Sequence, residues 1–445
     1  MRFTYCESQI PHTNSPDLMN RRTFIKSSSL ATAGLATGLS APLFANDHDK
    51  KLKIGLIGSG WYGMVIAKAA LEAGGVEVIA VADVDSQHLA NSLNELTSLQ
   101  GSRPQGFKDY RELLETSGLE AVLIGTVTHW HALQFIASSQ KGLPVYCEKP
   151  LAYDIEEGKA MVKAAREAAN IVQIGFQRRQ NKAFSRAKEL IGEGRIGKVH
   201  QIEAQIHYNP NIDDTTIQDP PTSLDWDAWC GPAPLLPYSP SKGHMSWRFE
   251  RAYGNGHLVD WGIHNIDIIR TIMGYDMPTS IEAQGGIHAL QGLTNTPDTL
   301  RATMLFGEVP LIWQHRLWGT GEIDPQYNNG IFFHGEKGSL FASDNRLVLK
   351  PAGRNSRQEV MEIPSPRMQE EHVVEFIRAV KTGNPGLISC TIDSAFRSTA
   401  TVQLAMIAYE TGSRVKWDGE LQTITGNEAA AAMLSRPYRE GYQRP

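Results

Sequence analysis

Cysteine is scarce in this sequence, and none of it is arranged in close pairs. The 445 residues include four cysteines, at positions 6, 147, 230 and 390, and no two of them have the CxxC spacing. This excludes a disulfide scaffold and a zinc ribbon, because both need closely spaced cysteines. A single disulfide stays open, since sequence alone does not define a pairing.

Clusters of positive charge and long apolar runs are also lacking. The net charge is −5, and Lys and Arg form no run. A mildly acidic chain of this kind excludes nucleic acids and anionic membrane surfaces as partners. With 41% hydrophobic residues and no internal repeat, the composition is instead typical of a globular chain of two domains.

The first 45 residues resemble a twin-arginine export signal. The paired arginines of RRTFIK, at 21–26, precede a weakly apolar stretch over 27–45. That stretch is too short and too interrupted by Gly and Pro for a membrane span, but it suits a signal cleaved after Ala45. Translation is expected to begin at Met19. We therefore expect a periplasmic protein with no stable membrane insertion after cleavage; a plain basic N-terminus and an uncleaved anchor are the alternatives.

A glycine-rich turn lies between an apolar strand and a helix. LKIGLIG, at 52–58, is typical of a parallel strand buried on both faces. Gly58 permits the tight turn, Gly60 lets the backbone approach a pyrophosphate, and Gly63 lets the helix pack on the strand. The helix N-terminus offers free N–H groups to phosphates. The residues of this turn predicted to bind a dinucleotide are Gly58, Ser59, Gly60, Trp61, Tyr62 and Gly63.

An acidic residue follows at the spacing that a dinucleotide site needs. VEVIAVAD, at 76–83, is a second buried strand that ends in Asp83, 20 residues beyond Gly63. The Asp83 carboxylate can accept hydrogen bonds from the adenosine ribose hydroxyls and would repel a 2′-phosphate. Because no Arg follows it, the cofactor is predicted to be NAD rather than NADP.

Strands and helices alternate up to residue 176, which predicts a doubly wound parallel sheet. Further strands are expected at 120–126, 143–150 and 171–176, with a helix over 130–141. Ligands of such sheets bind beyond the carboxyl ends of the strands. The cofactor contacts predicted at those ends are Thr126, His131, Glu148 and Gln177, and Arg178 is a predicted substrate contact.

His129 and His131 also form a His-x-His pair, a pattern of metal ligands. A metallohydrolase would need further ligands on the later strands of a barrel, and the nucleotide motif argues against a barrel. No metal is therefore expected. We expect His131 to cap the helix that begins there and to border the nicotinamide.

The second half predicts an α/β domain on a large, mostly antiparallel open sheet. KVHQIEAQIHY, at 198–208, alternates apolar and polar residues, as a strand covered on one side does. Further strands are expected at 279–288, 299–306, 310–318, 330–334, 338–342, 346–350 and 358–363, and helices at 367–382 and 393–411. An uncovered sheet face predicts a homo-oligomer. The Trp-rich loop within 209–246 is too long for a connector, so its Trp residues either stack on sugars or bury in a domain seam or subunit interface.

Four motifs together resemble the Gfo/Idh/MocA family, which includes glucose–fructose oxidoreductase and inositol dehydrogenase. They are GLIGSGWYG, THWHA (128–132), CEKPLA (147–152) and GHLVDWGIHNID (256–267). The resemblance implies NAD(P)-dependent chemistry on sugars or polyols, with a Rossmann domain before an α/β domain. It assigns catalysis to Lys149, Asp260 and His264. His129 departs from the family, since many members carry Asn there, and this departure is expected to alter contacts near the nicotinamide.

Oxidation of a secondary alcohol needs a hydride acceptor, a base and a charge that steadies the alkoxide. Lys149, at a strand end, suits either of the last two roles. Asp260 and His264 are four residues apart and would share one helix face, with His264 as base and Asp260 orienting a hydroxyl. Whether Lys149 or His264 takes the proton stays open. Trp247 and Arg248, which lead into this helix, are further predicted substrate contacts.

The expected organisation is a signal region over 1–45, an NAD-binding domain over 46–176, a substrate and oligomerisation domain over 177–425, and a tail over 426–445. The expected function is an exported oxidoreductase that moves hydride between a tightly bound NAD and a sugar, polyol or glycoside hydroxyl carbon. One alternative is a redox glycosidase, which oxidises, eliminates, hydrates and reduces with no net oxidation. Another is a non-catalytic, nucleotide-bound sugar sensor.

Overall fold

The computed structural model describes residues 50–212 and 214–445; the predicted export signal lies outside them. The first part of this described chain forms a six-stranded parallel sheet of order β3-β2-β1-β4-β5-β6. Its strands are β1 Leu52–Ile57, β2 Val76–Ala82, β3 Gln105–Phe107, β4 Ala121–Ile124, β5 Val145–Glu148 and β6 Val172–Gly175. Its helices are α1 Trp61–Glu72, α2 Ser86–Gln100, α3 Tyr110–Leu113, α4 Thr128–Gln140 and α5 Ile155–Ala168. The strand order reverses between β1 and β4, which places a ligand crevice at their carboxyl ends.

The second part of the described chain builds a ten-stranded sheet of order β14-β13-β12-β11-β7-β10-β9-β8-β15-β16. Its strands are β7 Val199–Ile206, β8 Ser280–Gly286, β9 Thr299–Phe306, β10 Val309–Arg316, β11 Asn329–Gly335, β12 Gly338–Ala342, β13 Arg346–Pro351, β14 Glu359–Glu362, β15 Val415–Asp418 and β16 Thr423–Thr425. Its helices are α6 Lys182–Gly192, α7 Trp226–Cys230, α8 Ile263–Met273, α9 Met368–Thr382, α10 Ile392–Thr411 and α11 Glu428–Ala432. These two sheets confirm the α/β class predicted from the sequence.

One continuous apolar core joins the two sheets. Ile174 of the first sheet and Trp313 of the second belong to the same buried cluster, and α8 and α10 pack on the second sheet. The late helix α9 returns to the first sheet, where Val373 and Phe376 pack beside β1 and α1. A division at residue 176 therefore separates two sheets but not two independent cores.

Pairing within the second sheet differs from the expectation at one place. β7 pairs antiparallel with β11 but parallel with β10. The alternation of 198–208 predicted a strand and its buried face, and Ile202 and Ala204 are indeed fully buried. It carried no information on the direction of the neighbouring strand, because that depends on how the chain returns to the sheet.

The Trp-rich loop packs against the first domain. We call residues 219–246 the cover segment. Trp226 and Trp229 stack with ring centroids 4.6 Å apart, and both are buried with Tyr253 in a cluster that Val84 and Val127 of the first domain border. Of the two alternatives for these Trp residues, the structure therefore supports burial in a domain seam over stacking on sugars.

The last 20 residues also pack on the rest of the chain. Arg444 donates hydrogen bonds to both carboxylate oxygens of Asp154, which caps α5, and Tyr438 donates to Glu157 at 2.9 Å. Arg439 bonds Asp227 of the cover segment. The predicted tail therefore forms hydrogen bonds with both the first domain and the cover segment. Among the described residues, no helix combines the length and the apolarity that a membrane crossing requires.

Candidate active site

The glycine turn between β1 and α1 has the close contacts that its sequence predicts. Gly58 has a φ of +82°, and a Cβ there would lie 2.6 Å from Thr126 Cγ2. A Cβ on Gly63 would lie 1.8 Å from the Gly58 carbonyl oxygen. Gly60 forms the N-cap of α1, whose first turn contains no acidic residue. The turn thus leaves a bare helix N-terminus, which favours a phosphate.

Asp83 lies beside this turn at the end of β2. Its Oδ2 accepts hydrogen bonds from the Ser59 N–H at 2.7 Å and the Ser59 hydroxyl at 3.1 Å, and its Oδ1 accepts from the Asp85 N–H at 2.9 Å. Burial raises the pKa of Asp83, although the N–H groups of Asp85 and Ser59 oppose the shift. Asp83 and Ser59 are therefore held together at the position where a dinucleotide presents its adenosine ribose.

A buried polar group forms at the carboxyl ends of β5 and β6. Gln177 Nε2 donates to the Tyr62 hydroxyl at 2.7 Å, and that hydroxyl donates to Gln369 Oε1 at 2.5 Å. Glu148 accepts from the Tyr146 hydroxyl at 3.2 Å, and burial together with the charge of Glu148 raises the pKa of Tyr62. Three predicted cofactor residues, Tyr62, Glu148 and Gln177, are thus brought together.

Glu148 is the titrating group of this cluster. Burial raises its pKa from 4.5 to about 7, against the lowering effect of Lys149. The folded protein therefore keeps this proton at pH values where the unfolded chain has lost it. Ionisation of Glu148 should lower the free energy of unfolding as pH rises from 4.5 towards 7, by about 3 kcal/mol in total.

Replacement Glu148→Gln should remove this pH dependence. Relative to the wild type, we expect the variant to gain about 3 kcal/mol of stability between pH 4.5 and pH 8, measured by urea unfolding of nucleotide-free protein. Glu115→Gln, at an exposed position, is the matched control and should leave the profile unchanged. Parallel wild-type and Glu148→Gln profiles would contradict the assignment.

The predicted catalytic residues Lys149 and Asp260 form an ion pair. Lys149 Nζ lies 2.9 Å from Asp260 Oδ1 and donates to the Asp260 carbonyl oxygen at 2.7 Å. Arg248 Nε lies 3.0 Å from the other carboxylate oxygen, Oδ2. Burial acts to raise the pKa of Asp260, but the charges of Lys149 and Arg248 lower it to about 2. One carboxylate is thus shared by two cations, and the group carries a net positive charge.

A π-helical turn positions Asp260. Leu258–Gly262 has this geometry and runs directly into α8 at Ile263. Such turns in helices often occur at functional sites, because the extra residue turns side chains out of register. A Cβ on Gly262 would lie 2.9 Å from the Trp313 ring, so the turn packs tightly on β10. The GHLVDWG sequence therefore fixes Asp260 against Lys149.

His264 lies one turn further along, buried and without a charged partner. Burial, followed by the charges of Lys149 and Arg178, lowers its pKa well below the ordinary value, so the imidazole is neutral. Its ring centroid lies 6.3 Å from that of Phe176 and 6.2 Å from that of Trp261. Among the described residues, its Nδ1 has no hydrogen-bond partner. A neutral imidazole beside a lysine is suited to accept a proton.

Two predicted substrate contacts are held by other side chains of the protein. Arg178 is buried, and its guanidinium donates to Asn265 Oδ1 at 2.7 Å and Asp344 Oδ2 at 2.8 Å. Its charge thus fixes α8 beside His264. Trp247 is buried in the aromatic cluster of the cover segment, and the Arg248 guanidinium lies 4.7 Å from its ring centroid. Trp247 therefore supports Arg248, and of the three predicted contacts Arg248 is the one that pairs with Asp260, while the charge of Arg178 acts on His264.

The residues after β4 differ from expectation in their roles. His131 does not cap α4: the helix begins at Thr128, and Val127 is the N-cap residue. Both His131 ring nitrogens face carbonyl oxygens, of Pro150 at 2.8 Å and of Thr126 at 3.1 Å. His131 thus ties the Lys149–Pro150 segment to β4. His129 Nε2 lies 2.9 Å from the Trp229 carbonyl oxygen, so its departure from the family pattern affects the cover segment.

The remaining predicted cofactor residues lie at the turn. Thr126 contacts Gly58 through its methyl group, and its hydroxyl donates to Gln134 at 2.6 Å. Trp61, which opens α1, exposes 61% of its surface. Neither residue forms a contact with the catalytic group among the described residues.

Three residues beside the site were missed by sequence reasoning. Gln369, at the start of α9, comes nearly 200 residues after Gln177, and no local signal links them. Tyr208 is half-buried, and the charge of Asp260 contributes to its raised pKa. Trp261 directly follows Asp260 and is 42% exposed. An exposed aromatic next to Asp260 was readable in the motif itself.

These residues fit a dinucleotide. The glycine turn, the bare N-terminus of α1 and Asp83 form the cradle, and the Oε1 of Gln177 is buried without a partner among the described residues. Unpaired buried amide atoms of this kind are stabilised by a polar ligand. A doubly wound sheet with this cradle, next to a lysine–aspartate pair and a neutral histidine, defines a nicotinamide-dependent oxidoreductase.

Comparison with known families agrees with this class. Residues 52–176 match the NAD-binding Rossmann fold of the GFO_IDH_MocA oxidoreductase family, and residues 208–444 match that family's C-terminal alpha/beta domain. The chain belongs to the Gfo/Idh/MocA oxidoreductase family, and NAD is its cofactor.

Its relatives include sugar and polyol enzymes. The chain is 26% identical over 349 residues to myo-inositol 2-dehydrogenase of Thermotoga maritima, covering 76% of this chain and 91% of the relative. It is 25% identical over 345 residues to 2,7-anhydro-N-acetylneuraminate hydratase of Mediterraneibacter gnavus, covering 76% of this chain and 80% of the relative. The fold resembles that of levoglucosan dehydrogenase in complex with NADH and levoglucosan, with a TM-score of 0.64, 19% identity, and coverage of 82% and 99% of the two chains.

Proposed function

We propose that this protein is an exported oxidoreductase that transfers a hydride between a tightly held NAD and a hydroxyl-bearing carbon of a sugar, polyol or glycoside. The observation that carries the proposal is the group of Lys149, Asp260, Arg248 and His264 next to the dinucleotide cradle. Its charges and its neutral imidazole match the needs of alcohol oxidation.

Each of these four side chains has its own role in the proposed hydride transfer. When bound, the nicotinamide supplies a site that accepts the hydride from the substrate carbon and can return it. His264 accepts the hydroxyl proton, since its imidazole is neutral and its Nδ1 has no hydrogen-bond partner among the described residues. The Lys149 ammonium donates a hydrogen bond to the same oxygen and steadies its developing negative charge. Asp260 and Arg248 orient Lys149 and a neighbouring hydroxyl. The substrate C–OH group thus becomes a carbonyl: its hydride goes to the nicotinamide and its hydroxyl proton goes to His264.

Aromatic side chains suit the substrate proposed here. Trp261 and Tyr208 are partly exposed beside Asp260, and a sugar ring can place its C–H groups on such surfaces. Arg248 supplies donors for a hydroxyl, or for a carboxylate of an acidic sugar. The names of the relatives, an inositol dehydrogenase and a hydratase of an anhydro sialic acid, support a polyhydroxylated ring.

The runner-up is a redox-neutral reaction. A retained cofactor must be reset within each cycle, either by a second substrate or by the same substrate taking its hydride back. A relative named as a hydratase supports the second route, since addition of water involves no net oxidation. In a glycoside, oxidation of a ring carbon would acidify the neighbouring C–H, elimination would release the aglycone, and water addition and reduction would complete a net hydrolysis.

Product analysis separates the two routes. The mature protein is incubated with free sugars and with glycosides, and products are identified by mass spectrometry while absorbance at the reduced-nicotinamide band is followed. A keto-sugar or sugar acid supports oxidoreduction, whereas a free sugar and aglycone in equal amounts support the redox glycosidase. Unchanged saccharides in every case would contradict both.

Export is proposed from residues 20–45. A twin-arginine route carries folded proteins, which would let the chain take NAD from the cytoplasm. Replacement of Arg21 and Arg22 by Lys should prevent accumulation in the periplasm, as fractionation would show, while replacement of Lys26 by Arg should not. Equal periplasmic amounts of both variants would contradict the signal.

Self-association through the open ten-stranded sheet is part of the same proposal. An open sheet with one uncovered face is a common interface between copies of a chain. Light scattering of the mature protein should give a multiple of the monomer mass, and a monomer at micromolar concentration would contradict it.

A further inference from the structure

The cover segment, residues 219–246, is hydrogen-bonded to the first turn of α4, which follows β4. Trp130 Nε1 donates to the carbonyl oxygens of Ala228 and Trp229, each at 3.0 Å. His129 packs against the Trp229 ring with centroids 5.2 Å apart. These contacts are buried, so this end of the segment is fixed.

The same segment is also hydrogen-bonded to the residues that follow β2, next to Asp83, where the adenosine of the dinucleotide is expected to bind. Ser86 N–H donates to the Ser223 carbonyl oxygen at 2.9 Å, and Asp225 N–H donates to the Val84 carbonyl oxygen at 3.1 Å. Lys108 Nζ lies 2.5 Å from Asp225 Oδ2. The segment thus spans the carboxyl edge of the sheet from β2 to β4, which is the edge that holds the dinucleotide.

The segment returns to the adenosine side with His244. Its Nε2 lies 3.3 Å from Asp85 Oδ2, and its ring centroid lies 4.5 Å from that of His88. His88 in turn lies beside the glycine turn, since a Cβ on Gly60 would be 3.8 Å from its Nδ1. His244 has a φ of +38°, a conformation that side chains other than Gly adopt at an energetic cost. Contacts with the rest of the protein therefore hold His244 in a backbone conformation that it would not favour by itself.

We propose that His244 is a further nucleotide-binding residue, which with His88 contacts the adenosine end of NAD and keeps the cover segment closed over it. The inference rests on the proposed function, in which NAD stays bound throughout the cycle. Imidazole rings present flat faces to a purine and an N–H donor to ribose hydroxyls. Release of NAD then requires His244 to leave Asp85 and the segment to open.

A metal ion is the competing occupant. The ligand atoms of Asp85, His88 and His244 lie within 4.8 Å of one another, and these residue types bind zinc. However, Asp85 Oδ1 already accepts from the Gln87 N–H at 2.8 Å and caps α2. The pair also adjoins Gly60 and lies close to Asp83, where the nucleotide binds. The position therefore favours the nucleotide.

The test compares release of NADH from the full mature chain. NADH is bound to the wild type and to His244→Ala, then displaced by excess NAD, and its fluorescence is followed by stopped flow. We expect release about tenfold faster from His244→Ala, because loss of a contact acts mainly on dissociation. Ile217→Ala is the matched control. Ile217 is exposed and lies two residues before the cover segment, so this variant should release NADH at the wild-type rate.

Reduced nicotinamide mononucleotide supplies a second readout. It lacks the adenosine, so its release should be equal in the wild type and in His244→Ala; a general loosening of the fold would accelerate both ligands. His88→Ala should repeat the NADH result if His244→Ala folds poorly in thermal unfolding.

Three results would overturn the proposal. The first is that His244→Ala and His88→Ala both release NADH at the wild-type rate. The second is that His244→Ala releases NADH and reduced nicotinamide mononucleotide faster by the same factor. The third is that the purified protein contains one equivalent of metal and that EDTA accelerates the release of NADH. The last would assign the three residues to a metal site. A wild type that arrives without nucleotide and leaves every saccharide unchanged would contradict the proposed function, while the NADH comparison would still decide the role of His244.

Discussion

Replacement of Lys149 by Met should abolish sugar turnover while the dinucleotide remains bound. Lys149 Nζ donates to the carbonyl oxygen and to the carboxylate of Asp260, and Met keeps most of the apolar length of the side chain but not its charge or its N–H groups. Loss of a preorganised charge and donor at a developing alkoxide should lower kcat by roughly a thousandfold. The measurements are turnover on the best substrate of the product screen and nucleotide content by mass spectrometry.

Lys163→Met is the control for this change. Lys163 lies on α5 with an exposed side chain, so its replacement should alter neither turnover nor nucleotide content. Loss of nucleotide together with turnover in Lys149→Met would mean that Lys149 holds the cofactor instead of acting on the substrate. Unchanged turnover would mean that Lys149 takes no part in catalysis.

Asp260→Asn should have a large effect on both stability and turnover. The carboxylate is the counter-charge of Lys149 and Arg248 in a buried position, and an amide would leave both cations without a negative charge beside them. Removal of one partner of a buried ion pair costs about 3 kcal/mol or more. Turnover should fall as well, because Lys149 loses the group that orients it. Urea unfolding and the sugar assay measure the two effects.

The pH dependence identifies the carboxylate as the cause. Because the pKa of Asp260 is lowered to about 2, its charge stabilises the folded state above pH 4, and that contribution is lost as pH falls towards 2. The stability difference between the wild type and Asp260→Asn should therefore shrink over this range. Asp276→Asn, at an exposed position, should show no such difference. A constant difference from pH 7 to pH 2 would point to packing instead of charge.

The features that sequence predicted well are those set by local chemistry. The strand before Gly58, the turn, and Asp83 at the end of the next strand lie within 32 residues, and each follows from a short-range steric or hydrogen-bonding requirement. The Asp154 cap of α5 is of the same local kind, since its carboxylate accepts from the Glu157 N–H three residues later. Local signals of this kind are complete within one or two turns of chain.

The features that sequence did not predict depend on contacts between distant segments. Arg178 stands at a strand end, as a ligand contact would, but its charge is taken up by Asp344, 166 residues later. Gln369 reaches Tyr62 because α9 returns to the first sheet. Whether a strand-end residue faces a ligand or a returning helix is decided by the path of the chain, which periodicity and spacing do not encode.

The most direct test of the account is the nucleotide content of the mature protein taken from the periplasm. The protein is purified without added cofactor, denatured, and its supernatant analysed by mass spectrometry. We expect NAD or NADH at close to one equivalent per chain, together with turnover of a saccharide that needs no added nucleotide. A chain that is found empty, and that stays inactive towards saccharides when NAD is supplied, would contradict it.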